Sequence, residues 1–271
     1  AVEVRVSGRI VLSRPVSLED GEQQVEFSLT PDTPGRHTYE IRIPPQADER
    51  TGANNSAYFA LEVLKGKTRI LLASGSPNPD FAYLRRLLAA DPNRDVTAAV
   101  ASDRGGFSHE DAALLKRLGD FDLVVLVDLP YGAIAGADLS LFNFLRNGGG
   151  LLVVGGRNAF DGGYGSRSMS EILPVRAIES GPSFQEDRFQ IEFPETHHPL
   201  LAFSEDPEAD ARDRSELPPL LGFNRTLGAR PGATVLAYHP RLRTPDGARM
   251  PLIALGTAGS GRVMAVPCAT L

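Results

Sequence analysis

The chain has 271 residues, of which 42% are hydrophobic and 23% charged, the composition of an ordinary globular protein with room for more than one core. Its formal net charge is −6, and no cluster of Lys and Arg with interleaved aromatic residues is present, so we do not expect a nucleic-acid partner. The single Cys268 excludes an internal disulfide and a cysteine-based metal site. No apolar run of about 18 residues that could span a membrane is present.

Residues 1–63 have the pattern of short β-strands. Hydrophobic residues alternate with polar ones around 2–6, 25–29 and 39–43, and an apolar run follows at Tyr58–Val63. Alternation with period two indicates half-buried strands, and the separators EDGE and TPDTPG are typical of turns. We therefore predict an antiparallel sandwich module. Because the segment is short for a sandwich, and because the chain starts at AVEVRV and stops at VMAVPCATL, we expect it to be part of a larger polypeptide.

From residue 66 the pattern changes to alternating strands and helices. Four apolar runs predict strands covered on both faces, at 70–73, 96–101, 121–127 and 151–154. Three segments between them have helical spacing, with predicted core-facing residues Phe81, Leu84, Leu87 and Leu88, then Leu114, Leu115 and Leu118, then Leu139, Phe142 and Leu145. Asp80 or Asn78 is the expected N-cap of the first helix, and Ser108 that of the second.

This alternation predicts an α/β domain with a doubly wound, mostly parallel sheet over residues 66–271, after an all-β domain of residues 1–65. Farther along the chain, SMSEIL (168–173) is predicted to be helical, and EDPEADARDRSE (205–216) is predicted to be a solvated surface loop. The runs TVLAYH, PLIALG and GRVMAVP read as strands that extend the sheet with antiparallel edge strands.

Polar residues near the ends of these strands form a candidate ligand rim, since ligands of open α/β sheets bind beyond the carboxyl ends of the strands. The rim residues are Ser74, Asp128, Arg157, Asp161, Tyr164 and His198. The competing interpretation is that Ser, Asp and Asn at strand ends cap helices and close turns.

The stretch GGGLLVVGGRNAFDGGYG (148–165) is the most suggestive of the candidate turns. It has no Ser, Cys or Thr within four residues of the strand end, so a nucleophile is not expected there. It matches neither glycine-rich phosphate motif, although the backbone of Gly162, Gly163 and Gly165 could hold an anion. Tight turns that need positive φ would explain the same glycines.

No metal or cofactor is expected from the histidines. His197 and His198 are adjacent, with Glu195 nearby, but no H-E-x-x-H or comparable ligand spacing is present. A turn stabilised by side-chain hydrogen bonds explains this stretch more simply.

Several segments of the chain resemble the glutamine-amidotransferase-like domain of large bacterial membrane proteins. They are TRILLASGSPNPDFAYLRRLL, FDLVVLVDLP, GGGLLVVGGRNAFDGGYGSRSMSEILPV, HHPLL, LPPLLGFNRTLGARPGATVLA and PLIALGTAGSGRVMAV. The preceding ERTGANNSAYFALEV resembles the adhesion-type immunoglobulin-like module found before that domain. The resemblance implies a class I glutamine amidotransferase-like, flavodoxin-like fold with an N-terminal immunoglobulin-like sandwich. It also implies an extracytoplasmic position in a membrane-anchored bacterial protein whose anchors lie outside this chain.

The sequence departs from the amidotransferase pattern at the catalytic residues. Class I amidotransferases carry a Cys on the elbow after a strand and a later His-x-Glu. The elbow aligns with Gly155-Gly156-Arg157, which has no Cys, and no His-x-Glu occurs near the C-terminus. Glutamine hydrolysis is therefore not expected.

Three functional hypotheses remain at this point. The leading one is a non-catalytic binding or scaffolding module of a cell-envelope protein, with other proteins or envelope components as partners. The alternative is a hydrolase or transferase that uses Asp128, Arg157, Asp161 and His198. A third is a sugar- or nucleotide-binding domain that uses the Gly162–Gly165 loop.

Overall fold

A computed structural model describes residues 1–16, 24–29, 31, 33–45, 49, 51–52, 54–63, 66–102, 106–194, 198–204 and 206–269. The chain divides into two compact units, Ala1–Gly66 and Lys67–Leu271, and each is described by itself.

The first unit contains one four-stranded antiparallel sheet. Its strands are β1 (Val2–Val6), β2 (Arg9–Arg14), β3 (Gly35–Arg42) and β4 (Ser56–Val63), in the order β2-β1-β3-β4. Ser7 and Gly8 both have positive φ, 49° and 78°, which is the geometry of a two-residue hairpin turn between β1 and β2. Tyr39 is buried and stacks on Phe59 of the neighbouring strand, with ring centroids 5.3 Å apart.

The strand predicted at 25–29 is wrong, because the described residues 24–29 have no strand geometry. Their contact with β2 is made by the Arg14 side chain, which donates to the Glu26 carbonyl, and Pro15 has no N–H with which to continue a ladder. Alternation produces a strand only where a neighbour offers backbone partners. The part of this unit that the structure describes thus has one sheet, and the immunoglobulin-like module stays a prediction.

The second unit is an α/β domain built on a seven-stranded sheet, with further strands in two smaller sheets. The strands of the whole unit are β5 (Thr68–Ser74), β6 (Arg94–Val100), β7 (Leu123–Val127), β8 (Gly150–Val154), β9 (Val175–Ala177), β10 (Phe184–Phe189), β11 (Leu220–Asn224), β12 (Thr226–Ala229), β13 (Thr234–Arg243), β14 (Arg249–Ala258), β15 (Gly261–Val266) and β16 (Cys268–Ala269). Its helices are α1 (Pro79–Ala89), α2 (His109–Lys116), α3 (Asp138–Arg146), α4 (Arg167–Ile172) and α5 (Pro207–Ser215).

The seven strands follow the order β13-β14-β15-β8-β7-β5-β6. The five strands from β15 to β6 are parallel to one another, β14 pairs antiparallel with β15, and β13 pairs antiparallel with β14. Smaller antiparallel sheets join β10, β11 and β16, and β9 with β12. The prediction of a mostly parallel α/β sheet is confirmed.

The expectation that GRVMAVP forms an antiparallel edge strand is wrong. This segment is β15, which lies inside the sheet and runs parallel to β8. Val263 and Ala265 are buried in the main core, while Met264 and Val266 lie on the opposite face. An apolar run on both faces is the pattern of an interior parallel strand.

Successive residues of the parallel strands pack on opposite faces of the sheet. Leu71, Val124 and Leu151 contribute to the larger core, which also contains residues of α2, α3 and α4. Their neighbours, including Ile70 and Val125, pack with Phe81 of α1 on the other face. The apolar runs in the sequence reflect this coverage of both faces.

The helix starts follow the capping residues. The Asn78 side chain accepts from the Phe81 N–H at 2.8 Å, and the Ser108 hydroxyl accepts from the Asp111 N–H at 3.1 Å. Asn78, one of the two predicted N-caps of α1, is confirmed, and Asp80 lies in the first turn of that helix.

The predicted core face of α3 is wrong at Leu139 and Phe142 and confirmed at Leu145. Leu139 is 72% exposed and Phe142 38% exposed, whereas Leu141, Phe144 and Leu145 are buried. Both sets have helical spacing, so the sequence offers two overlapping apolar stripes, and packing against the sheet selects one.

Residues 207–215 form helix α5, not the predicted solvated loop. Asp206 caps the helix by accepting from the Glu208 N–H at 3.2 Å, and Pro207 occupies the first turn. The carboxylate of Asp210 is buried, where it accepts from the Phe203 N–H at 2.7 Å and from Arg214 at 2.8 Å. The acidic first turn and the basic last turn of α5 add to its stability through the helix dipole. Because the whole segment is hydrophilic, it lacks the apolar spacing by which a helix is recognised from sequence.

Candidate functional site

The turn after β8 is held by the side chain of Asn224, which is completely buried at the end of β11. Its Oδ1 accepts from the Gly156 N–H at 2.9 Å, and its Nδ2 donates to the carbonyls of Gly156 and Ala159, each at 2.8 Å. The same nitrogen also lies 2.8 Å from the Ser183 hydroxyl, which in turn donates to the Ala159 carbonyl. One buried side-chain amide thus satisfies backbone groups near the start of the turn, at Gly156, and at its end, at Ala159.

Asp128, which follows β7, holds the same turn from the other side. Its carboxylate accepts from the Asn158 N–H at 2.7 Å and from the Asn158 side chain at 3.0 Å. Asp128 itself has a φ of 43°, and Gly156 has a φ of 155° at a point where a Cβ would overlap the Asp128 carboxyl. Burial raises the pKa of Asp128, although the hydrogen bonds from Asn158 act in the opposite direction. The carboxylate is therefore an acceptor committed to closing the turn.

Tyr164 is also a structural hydrogen-bond donor. It is fully buried, stacks on Phe160 and donates its hydroxyl to the Leu129 carbonyl at 2.8 Å. Burial raises its pKa, and the nearby charges of Asp128 and Asp161 raise it further, so the phenol stays protonated. Burial likewise raises the pKa of Asp161.

The loop Gly162–Gly165 is a single 3-10 turn. The N–H groups of Tyr164 and Ser166 donate within the turn, to the carbonyls of Asp161 and Gly163. A Cβ on Gly163 would overlap the Tyr131 ring, so this glycine is required for close packing. These contacts give the turn a structural role. They occupy the amides of Tyr164 and Ser166, and an anion held by the amides of Gly162, Gly163 and Gly165 stays a prediction.

Arg157 and Ser74 lie at the same edge in different environments. Arg157 is 68% exposed, forms an ion pair with Glu186 and lies over the Phe184 ring, 5.3 Å from its centroid. Ser74 is completely buried and donates to the carbonyls of Ser76 and Val127. At the rim, the Arg157 guanidinium is therefore exposed but paired with Glu186, and the Ser74 hydroxyl is not accessible to solvent.

His198 lies at the start of a 3-10 turn, Pro199–Leu201, where its Nδ1 accepts from the Leu200 N–H at 3.3 Å. His197 and Glu195 are outside the described residues. Within the described part of the chain, no hydrogen bond or ion pair joins His198 to the other rim residues. The structure thus brings Asp128, Asp161 and Tyr164 together and gives His198 a local capping role.

Cys268, the one cysteine, lies in β16 with its Sγ 3.9 Å from the Leu252 carbonyl. Burial raises the pKa of this thiol to about 12, so it is protonated at neutral pH and is a poor nucleophile. Over the described ranges, no three His, Cys, Asp or Glu side chains converge as a metal site would require. Searched over the same ranges, the helices include none with the length and hydropathy to cross a bilayer.

Sequence reasoning missed the residues that matter most to this turn, namely Asn224, Asn158 and Ser183. In the sequence Asn224 belongs only to a sequon, NRT. A usable signal was its position at the end of the apolar stretch LLGF, because a polar residue in such a strand must find buried partners.

Residues 106–269 match the family described as "Putative glutamine amidotransferase", and this match covers more than half of the chain. The chain belongs to this family. The turn Gly155-Gly156-Arg157, which the sequence resemblance predicts to be the counterpart of the catalytic elbow, carries no nucleophilic side chain. No curated protein matched the chain.

Two solved structures are similar to this amidotransferase-family member. The cytoplasmic protein STM1381 from Salmonella typhimurium LT2 is 21% identical, with a TM-score of 0.55, over 74% of this chain and 87% of that one. A ThuA-like protein from Parabacteroides merdae is 14% identical, with a TM-score of 0.48, over 74% and 78% of the two chains. At 21% identity, the likeness to the Salmonella protein shows the fold alone.

Proposed function

We propose that this chain is a non-catalytic binding module of a bacterial cell-envelope protein, built on the amidotransferase-family fold. The observation that carries the proposal is the turn Gly155–Ala159. Asn224 and Asp128 hold its polar backbone groups, and none of its side chains is a nucleophile.

The chemistry of an elbow supports this reading. Covalent amide hydrolysis needs an exposed Ser or Cys on the turn and a base within hydrogen-bond reach. Here Arg157 extends into solvent beside Glu186, and the thiol of Cys268 is buried and neutral. Neither residue can replace the missing cysteine.

The raised pKa of Asp128 is the feature that would favour the alternative, a hydrolase or transferase, since perturbed carboxyls cluster at active sites. Its two hydrogen bonds from Asn158 account for the position of this carboxyl without substrate. Among the described rim residues, Ser74 is buried and His198 caps a separate turn, so neither supports Asp128 as a nucleophile or base.

The envelope location and the immunoglobulin-like nature of the first unit rest on sequence resemblance. The Salmonella protein of similar fold is described as cytoplasmic, at an identity that carries no more than the fold. Protease treatment of spheroplasts, which have lost the outer barrier and keep an intact cytoplasmic membrane, tests the location in cells that produce the full-length protein. Cleavage in spheroplasts is expected, and protection until the cytoplasmic membrane is lysed would contradict it.

Thermal unfolding in the presence of glutamine, small amides and inorganic phosphate tests the binding-module proposal. We expect none of these ligands to raise Tm, because the N–H and carbonyl of Gly156 and the N–H of Asn158 are already hydrogen-bonded to Asn224 and Asp128. A saturable increase with glutamine that Asp128→Asn abolishes would contradict the proposal. An increase with phosphate alone would favour the glycine-loop hypothesis instead.

A further inference from the structure

A cleft with a volume of about 440 Å³ lies at the amino ends of β5, β7 and β8. Arg69 lies at the start of β5, Asp122 directly before β7, and Gly148 and Gly149 directly before β8, and all four line the cleft. The ends of α2 and α3 form its sides, and the 3-10 turn Leu118–Asp120 after α2 contacts α3. The volume lies within the range of small-molecule sites. The turn after β8 is at the opposite, carboxyl edge of the sheet, so the cleft is separate from it.

One face of α3 supplies uncharged hydrogen-bonding groups to the cleft. Ser140, Asn143 and Asn147 all line it, and their i, i+3, i+7 spacing places them on the same face of the helix. In the part of the chain that the structure describes, none of these three side chains is hydrogen-bonded to another residue. Hydroxyl and side-chain amide groups both donate and accept hydrogen bonds. This face is therefore available to a ligand whose own polar groups do the same.

The charges around the cleft balance one another. Asp122 accepts from the Arg69 backbone N–H at 2.8 Å and from the Arg69 guanidinium at 3.1 Å, and the side-chain hydrogen bond is the main reason that the pKa of Asp122 is lowered. Lys116 lies in the last turn of α2, and Asn147 is the C-cap of α3, so the carboxyl ends of two helices border the cleft. Each helix end is equivalent to roughly −0.5 charge, which together offset the charge of Lys116. The cleft therefore favours neither a cation nor an anion.

A ligand with several hydroxyl groups matches this set of donors and acceptors. A carboxylate or phosphate only accepts hydrogen bonds, so it would leave the amide oxygens of Asn143 and Asn147 unpaired and would face the carbonyl ends of the helices. An ammonium group only donates, and it would meet the cations of Lys116 and Arg69. A sugar hydroxyl both donates and accepts. The half-buried Phe121 also lines the cleft and offers an apolar surface to the C–H face of a sugar ring.

We propose that this cleft binds a neutral sugar ring, with the sugar hydroxyls on Ser140, Asn143 and Asn147 and the C–H face on Phe121. The inference rests on the proposed function as a binding module and names the class of ligand that the module takes. It does not use the turn held by Asn224.

Titration of the ¹⁵N-labelled intact chain with glucose, galactose and mannose, followed by NMR of the side-chain amides, tests this proposal. The signals of Asn143 and Asn147 are assigned from the spectra of Asn143→Ala and Asn147→Ala. We expect at least one hexose to shift both signals saturably and to leave the signal of Asn224 unchanged. The uronate and the amino sugar of that hexose, which share its ring and carry opposite charges, are expected to bind more weakly. Cyclohexanol, which keeps the ring and a single hydroxyl, is expected not to bind.

The double variant Asn143→Ala with Asn147→Ala removes both amides from the cleft. It is expected to weaken the hexose by about tenfold, because the hydrogen bonds to both side chains are lost. Binding to this variant is followed through the backbone N–H signals of Gly148 and Gly149, which also line the cleft. Gln185→Ala, the matched removal of an exposed amide on β10 outside the lining, is expected to leave the affinity unchanged. Circular dichroism establishes that each variant is folded.

Three results would overturn the proposal: no saturable shift with any hexose, tighter binding of the uronate or the amino sugar than of the hexose, or a hexose affinity that the double variant leaves unchanged. Shifts confined to the backbone of Gly162–Gly165 would move the sugar to the glycine loop and would overturn it as well. None of these results bears on glutamine. Conversely, glutamine binding or turnover would refute the proposed function and leave the hexose titration unaffected, so the two failures are distinguishable.

Discussion

Replacing Asn224 by alanine is the sharpest test of the structural account of the turn. The change removes one acceptor and one amide donor group that together make four short contacts, to Gly156, Ala159 and Ser183. The buried N–H and carbonyl of Gly156 would be left unsatisfied, at a cost of about 1–3 kcal/mol each, whereas the Ala159 carbonyl keeps its bond from Ser183. We expect a total loss of roughly 3–5 kcal/mol. For a unit of about 200 residues this lowers Tm by roughly 10 °C.

Urea and thermal unfolding followed by circular dichroism measure this loss. Asn143→Ala is the matched control, because Asn143 lies on the exposed side of α3 and is expected to change stability by less than about 0.5 kcal/mol. Asn224→Asp should be at least as damaging as Asn224→Ala near neutral pH, since it removes the donors and buries a charge. If Asn224→Ala unfolds like the control, the turn is not held as described here.

The remaining predictions concern pH, the thiol and the glycine loop. Burial raises the pKa of Asp128 in the fold, so its contribution to stability is greatest below the unfolded value and declines as pH rises through the folded value. Across that range Asp128→Asn, which cannot ionise, should gain stability relative to the wild type in urea titrations, and a constant difference would contradict this. Cys268 should react with iodoacetamide at neutral pH only after unfolding, as judged by mass spectrometry; rapid native labelling would show that the thiol is accessible and reactive. Gly163→Ala should cost about 1–3 kcal/mol by overlap with the Tyr131 ring, whereas Gly132→Ala, with open space around it, should be close to neutral in the same unfolding assay.

The architecture of the second unit was accessible from sequence because interior parallel strands are apolar on both faces. The run that predicted a strand at 121–127 corresponds to β7, Leu123–Val127, and Asn78 and Ser108 identified the helix starts. The same reasoning failed where long-range packing decides. It could not choose between the two apolar stripes of α3, and it placed β15 at the edge of the sheet.

The candidate site was only partly accessible from sequence. Parallel strands end at one edge, so the positions of Ser74 and Asp128 could be anticipated. Whether each side chain faces solvent or closes a turn depends on backbone angles and on partners far along the chain. Asn224, which is 68 residues from Gly156, is such a partner, and no local pattern connects the two.

Glutamine hydrolysis measured with the purified chain tests the central claim most directly. The assay follows ammonia and glutamate release at high protein concentration, with Cys268→Ser in parallel. The account predicts release no greater than the protein-free blank for both proteins, because the turn has no nucleophile and the thiol is buried and protonated. Release that saturates with glutamine, scales with protein concentration and disappears in Cys268→Ser would contradict it.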